Sequence, residues 1–304
     1  MAKHKLSITL IILGLFLATQ IVGLIVINQH PVPTFLSPTM PEVEFSYGYF
    51  LVNLLISFFI AITLFLFLIK YKYRFFLKFW FFAVVTMALS ISINAIFRLG
   101  NLNFAYLTAL VIALPIAILK IYRHSVVIHN LTEILVYPGI AAIFTMVFNP
   151  WSILVILILI SIYDIWAVWH SGLMQKMVKF QMEELHVFGG LLIPYFTDKQ
   201  KKSIELMKQK LKNKKITKEK IRKSKMKISV GMLGGGDIVF PLITAGVFMQ
   251  KFGLTPAIYI IVGALAALTY LFCYSKKGRH YPAMPYITTG IFIALLIWFL
   301  TVLF

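Results

Sequence analysis

Apolar residues along this chain gather into nine runs, at 6–27, 49–69, 75–97, 102–119, 131–148, 151–170, 228–250, 254–274 and 283–304, with most polar residues in the connections between them. Each run has about 18–23 residues, enough for a helix rising about 1.5 Å per residue to cross a hydrocarbon core of roughly 30 Å. A segment in lipid must satisfy its own backbone hydrogen bonds, so each run predicts a helix. The narrowest separation is Phe148-Asn149-Pro150-Trp151, where Asn and Pro break what is otherwise one overlong run. The first run follows Lys3 and Lys5 like a signal peptide, but it is too long and has no small-x-small site before Asn28, so it reads as a retained span. The segment from Gln29 to Glu44 carries Pro31, Pro33, Pro38 and Pro41 and reads as an extended surface loop.

Composition strengthens this reading. With 60% hydrophobic and 13% charged residues among 304, a water-soluble domain has too much apolar surface to hide, whereas a bilayer does not require hiding it. The single cysteine, Cys273, permits no intrachain disulfide and reads as apolar filler.

The net charge of +19 first suggests nucleic acid, but its distribution says otherwise. Fourteen of the 29 Lys and Arg residues lie between Lys199 and Lys227, in one polar block without interleaved aromatic residues. Such a block reads as a cytoplasmic loop touching anionic lipid, and no nucleic acid is expected as a partner. The amino terminus and alternate connections hold 27 of the 29 basic residues, leaving only Arg98 and Lys251 on the other side. The expected fold is thus an all-α membrane protein of nine transmembrane helices, amino terminus cytoplasmic and carboxyl terminus outside. Residues 1–172 form a six-helix part, 173–227 a basic cytoplasmic loop and 228–304 a three-helix part, together one multi-pass membrane domain without internal repeats. Within the loop, Ile204, Met207 and Leu211 fit one side of an amphipathic helix on the membrane, and an inert charged linker fits equally.

Only ten residues are acidic, and only Asp164 and Asp237 lie well inside apolar runs. Glu133, at a helix end, reads as an interfacial partner for a cation such as Arg123. A carboxyl group within the bilayer costs at least ~2.5 kcal/mol, so its default reading is functional. Counted from the outer ends of the sixth and seventh runs, both carboxyls lie at a similar depth, roughly 20 Å in. Two acids at one depth on antiparallel neighbours can meet. In a low-dielectric site they cannot both ionise, so they share a proton. One then takes a proton from water while the other donates to the attacked carbonyl, which is peptide hydrolysis.

The surroundings of these acids are specific. Asp164 follows Tyr163, Asp237 follows Gly234-Gly235-Gly236, and Pro282-Ala283-Met284-Pro285 opens the last run. With these motifs the chain resembles the presenilin and signal peptide peptidase family of intramembrane aspartyl proteases, which carries YD on its sixth helix, GxGD on its seventh and PAL at the start of its ninth. The third motif departs by one residue, with Met284 for leucine, close in volume and apolarity. The compact loops look more like archaeal members than eukaryotic ones.

The resemblance implies an aspartic endopeptidase without a cofactor, with Asp164 and Asp237 catalytic. It also implies that Pro282, Ala283 and Met284 lie near them and support substrate binding. Substrates would be transmembrane-helix or signal-peptide-like proteins, unwound locally and held partly as an added β-strand. The chain looks like members that act without a complex. Val187–Ile193 fits either an edge strand for that purpose or an interfacial anchor. Gly234, Gly235 and Gly236 fit close helix packing or the approach of substrate and water. Tyr163 fits ordinary packing or a hydroxyl beside the acids, and Pro282 and Pro285 also suit a plain helix start.

Rival chemistries are poorly supplied. No H-E-x-x-H occurs for a metal, and His124 and His129 read as surface residues in a connection. His170 and Ser171 are adjacent and do not face each other on a helix. The main alternative is a proton- or cation-coupled transporter using buried aspartates on a glycine-broken helix. A non-catalytic scaffold for helices leaves the aspartates unexplained.

Overall fold

The computed structural model describes residues 6–29, ten positions between 52 and 73, and residues 74–100, 106–123, 125–171, 181, 188–195, 229–275 and 281–303. The helices are α1 (Leu6–Gln29), α2 (Arg74–Leu99), α3 (Tyr106–Tyr122), α4 (Val126–Val147) and α5 (Pro150–Trp166), the last running into a π turn at Ala167–Ser171. Strands β1 (Gly190–Tyr195) and β2 (Ser229–Gly234) follow, then α6 (Gly235–Phe252), α7 (Leu254–Tyr274) and α8 (Met284–Leu303). At the second expected run, the described positions from Val52 to Phe67 are helical. The proline-rich segment and the basic block lie outside the described residues.

Six of the described helices are long and apolar enough to cross a membrane, and α3 adds a shorter apolar helix. Their outward faces carry large apolar side chains such as Phe75, Trp80, Leu107, Ile162, Val262 and Leu296, as lipid-facing helices do. This is a multi-pass integral membrane protein.

Helix packing follows the small residues. Ala109, Ala113 and Ala117 form a buried stripe on α3, which packs against α2. A Cβ on Gly139 of α4 would strike the Ala88 carbonyl of α2, and Gly263 of α7 and Gly290 of α8 stand in the same relation to each other's backbone. Around α1, α4 and α6, the main core joins Phe16, Ala141, Leu157, Leu242 and Ile260. The Asn149-Pro150 break becomes a capping box: the Ser152 amide donates to the Asn149 side chain at 2.8 Å, and the Asn149 amide donates to Ser152 Oγ at 3.0 Å.

The seventh expected run differs from its expected form. Instead of a helix over 228–250, residues 229–234 are a strand and the helix starts at Gly235. β1 pairs with β2 antiparallel, from Gly190 opposite Gly234 to Tyr195 opposite Ser229. Glycines at 231 and 234 weaken helix formation, and β1 supplies the backbone partners that helical bonding would otherwise provide. Of Val187–Ile193, the residues from Gly190 onward form a strand, but it is paired with β2 on one edge and bonded by Asn130 on the other, so it does not offer the open edge expected for substrate. The fold is mostly helical, with this two-stranded sheet beside the site.

Candidate active site

Asp164 lies fourteen residues after Pro150 on α5, and Asp237 lies fifteen residues before Phe252 on α6. The two helices pack together, and the two carboxylates lie within electrostatic range of each other. The beginning of α6 explains the orientation of Asp237. As the third residue of the helix, it reaches back toward its N-cap, accepting from the Gly234 amide. The helix dipole favours a negative charge there. Pro241 has no N–H, so the Asp237 carbonyl has no helical donor four residues on. Gln20 of α1 steadies the same turn, donating from Nε2 to the Ile238 carbonyl at 3.0 Å.

Asp164 is held from the opposite side. The Met284 amide, at the first residue of α8, donates to Asp164 Oδ2 at 3.1 Å, with the Ala283 amide also acting on the carboxylate. One turn away, Ser161 Oγ donates to Thr288 Oγ1 at 2.8 Å, fastening α5 to α8. Pro282 and Met284 are buried and Ala283 half-buried. The π turn begins three residues after Asp164, a local widening often seen at functional sites.

The glycines divide by geometry. A Cβ on Gly234 would lie 3.1 Å from Asp237 Oδ2, and one on Gly235 3.0 Å from Tyr137 Oη and 3.4 Å from the Gly189 carbonyl. At Gly236 the nearest atom would be 3.8 Å away, ordinary contact with Phe240. Tyr163 is half-buried with its ring 6.2 Å from that of Trp166.

Sequence reading passed over a polar stripe on α4. His129, Glu133 and Tyr137 stand four residues apart and share one face, a spacing visible in the sequence. Tyr137 is buried, with the Glu133 side chain within hydrogen-bonding reach of its hydroxyl and Asp237 within electrostatic range. Glu133 pairs not with Arg123 but with Lys120 of α3, at 2.7 Å, because Lys120 faces inward while Arg123 is exposed. His129 is not a surface residue. Only 14% of its side chain is exposed, and its Nε2 lies 2.7 Å from the Gly190 carbonyl. His170 is exposed on the π turn. Among the described residues, no three His, Cys, Asp or Glu side chains are grouped as metal ligands would be.

Comparison with known proteins bears directly on this arrangement. A family model described as signal-peptide peptidase, presenilin aspartyl protease matches residues 8–303. Two solved structures of a presenilin family intramembrane aspartate protease, in C222 and P2 space groups, share the fold. The first has 16% identity and a TM-score of 0.56 over 94% of each chain. The second has 18% identity and a TM-score of 0.58 over 94% of this chain and 95% of the other. No curated protein sequence matches the chain. With the match extending over nearly its whole length, the chain belongs to the signal-peptide peptidase and presenilin family and is an intramembrane aspartyl protease.

Proposed function

We propose that this protein hydrolyses peptide bonds within or near transmembrane helices of other membrane proteins, with Asp164 and Asp237 as an acid/base pair acting on one water. The observation that carries this reading is that the two carboxylates lie within electrostatic range of each other on helices that pack together, each accepting from a backbone amide at a helix start. The ionised member takes a proton from water, whose oxygen bonds to the scissile carbonyl carbon. The protonated member gives its proton to the carbonyl oxygen, producing a tetrahedral diol. Collapse of the diol returns a proton to the amide nitrogen, breaks the C–N bond and releases acid and amine. Gly234 and Gly235 allow the close approach of Asp237 and Tyr137, and Pro282, Ala283 and Met284 anchor Asp164. Tyr163 and Gly236 directly precede the two acids in sequence.

A substrate helix must unwind before its bonds can react. β2 ends three residues before Asp237, and the outer edge of β2 suits an added substrate strand. Signal-peptide-like segments fit the same requirement. Nine spans, an amino terminus in the cytoplasm and a carboxyl terminus outside account for the charge distribution, with 1–172, 173–227 and 228–304 as parts of one membrane domain and the basic loop against anionic lipid. The family assignment lends no support to the transporter alternative.

The test is cleavage of a model membrane helix by purified protein in lipid vesicles. Wild type should cut the helix, with a bell-shaped pH profile, and Asp164→Ala and Asp237→Ala should each be inactive. Cleavage surviving in either variant would remove the two-aspartate mechanism.

A further inference from the structure

The segment 229–234 has two competing conformations available. It is continuous with α6 and belongs to an apolar run that reads as helix, yet it stands as a strand. A two-stranded sheet rich in glycine is marginal by itself and weakly fixed in register. Something outside the sheet must hold it.

Leu191 and Leu233 pack it into the main core, and the polar contacts that fix the backbone of β1 come from the start of α4. Asn130 Nδ2 donates to the Leu192 carbonyl at 2.7 Å, and the Leu192 amide donates to Asn130 Oδ1 at 3.0 Å. One side-chain amide thereby pairs with β1 as a neighbouring strand would. The Nε2–H of His129 is aimed at the Gly190 carbonyl, two residues away on the same edge. The next outward position is Pro194, which has no N–H to satisfy. The grip is rooted in the bundle, because Glu133 Oε1 lies 3.6 Å from His129 Nε2 and 2.7 Å from Lys120 Nζ on α3. β1 therefore has its outer edge taken by α4 and its inner edge by β2. On β2, Met232 faces away from β1 in the ladder, and among the described residues nothing pairs with its backbone.

We propose that Asn130 and His129 are positioning residues for substrate capture: by gripping β1 they keep β2 extended, so that its outer edge is presented to an unwound substrate beside Asp237. This rests on the strand-addition reading above. If the grip is lost, 229–234 spends part of its time off the strand. Substrate then binds only the extended fraction, which raises KM by the inverse of that fraction. Bound substrate restores the strand, so kcat at saturation is retained.

The experiment compares Asn130→Leu, Asn130→Leu with Met232→Ile, and Met232→Pro against wild type, in vesicles, with a model helix as substrate. A hydroxyl-bearing peptide transition-state analogue too short to reach β2 reports the integrity of the aspartate site. Asn130→Leu should raise KM about tenfold for two lost hydrogen bonds, with kcat and analogue affinity unchanged. Met232→Ile adds β-branching at a half-exposed strand position and should recover much of that KM. Met232→Pro removes only an outward N–H and should raise KM in the otherwise wild-type chain. An unaltered KM in Asn130→Leu overturns the proposal, as does a parallel loss of kcat and analogue binding, or a failure of Met232→Ile to rescue. If Met232→Pro leaves KM unchanged, strand addition itself falls and the proposal with it. If Met232→Pro raises KM while Asn130→Leu does not, only the gripping role falls.

Discussion

The backbone amide of Met284 donates to the carboxylate of Asp164 across 120 residues of chain, at 3.1 Å. The Pro-Ala-Met segment therefore acts on the site through its main chain, and the side chain at 284 fills buried space beside it. Met284→Leu should keep cleavage within about twofold, since the volume and apolarity are nearly conserved. Met284→Pro keeps a residue suited to the first helical position but removes the donor. A hydrogen bond to a charged group is worth about 1.5–3 kcal/mol, so kcat should fall roughly ten- to a hundredfold. Steady-state cleavage of a model helix by both variants is the measurement. Equal activity in the two would mean that the amide does nothing for Asp164.

The three consecutive glycines should respond unequally to alanine. At Gly236 the added methyl meets only Phe240 at van der Waals distance, and alanine stabilises a helix by up to about 1 kcal/mol over glycine. Gly236→Ala should therefore cleave within about twofold of wild type and melt no lower. At Gly234 the methyl presses on Asp237 Oδ2, and at Gly235 on the Tyr137 hydroxyl and the Gly189 carbonyl. Relieving that contact takes a shift of a few tenths of an ångström in the carboxylate, less than the about 1 Å that costs on the order of a hundredfold, so kcat for Gly234→Ala should fall by up to about tenfold. Gly235→Ala should lose both activity and thermal stability. A uniform response across the three positions would contradict the geometry.

Much of the helical layout was legible because hydropathy is a property of each segment by itself. The run 254–274 coincides with α7, and the Asn149-Pro150 break is where α5 begins. Asp164 and Asp237 stand out in the sequence because acids in apolar runs are costly, and the structure puts their carboxylates within electrostatic range. The strand at 229–234 escaped notice because its apolar residues are continuous with α6 and do not alternate. Its extended state depends on β1, on the far side of the basic block. Asn130, His129 and Tyr137 escaped for a related reason: a polar residue at a helix end looks like a surface residue until its partner is known. For Glu133, proximity in sequence points to Arg123, whereas helix facing selects Lys120.

The hydroxyl of Tyr137 is buried against Gly235, with the Glu133 side chain within hydrogen-bonding reach. A hydrogen bond to a charged group is worth about 1.5–3 kcal/mol, so Tyr137→Phe should cost no more than that in thermal stability. Because Asp237 is in range, kcat should fall about tenfold, the worth of one hydrogen bond to the site's water or carboxylate. Stability and kcat are measured on the same preparation. A destabilised variant of full activity would assign the hydroxyl to the fold instead.

Lys120 and Glu133 form an ion pair with each side chain only 2% exposed. Buried away from water, both charges are expensive alone, and each is tolerable because of the other. Lys120→Met should therefore cost about 3–5 kcal/mol by leaving the Glu133 carboxylate without its cation. Glu133→Leu should be similarly damaging, because Lys120 would lose its carboxylate and keep, among the described residues, the Phe81 ring 6.0 Å away. The double variant removes both charges and fills the space with apolar atoms, so its stability should return close to wild type. Denaturant titration of the four proteins in detergent gives the coupling energy directly. Additive losses, with the double variant worse than either single, would mean that the two charges are solvated separately and that no buried pair braces α3 against α4.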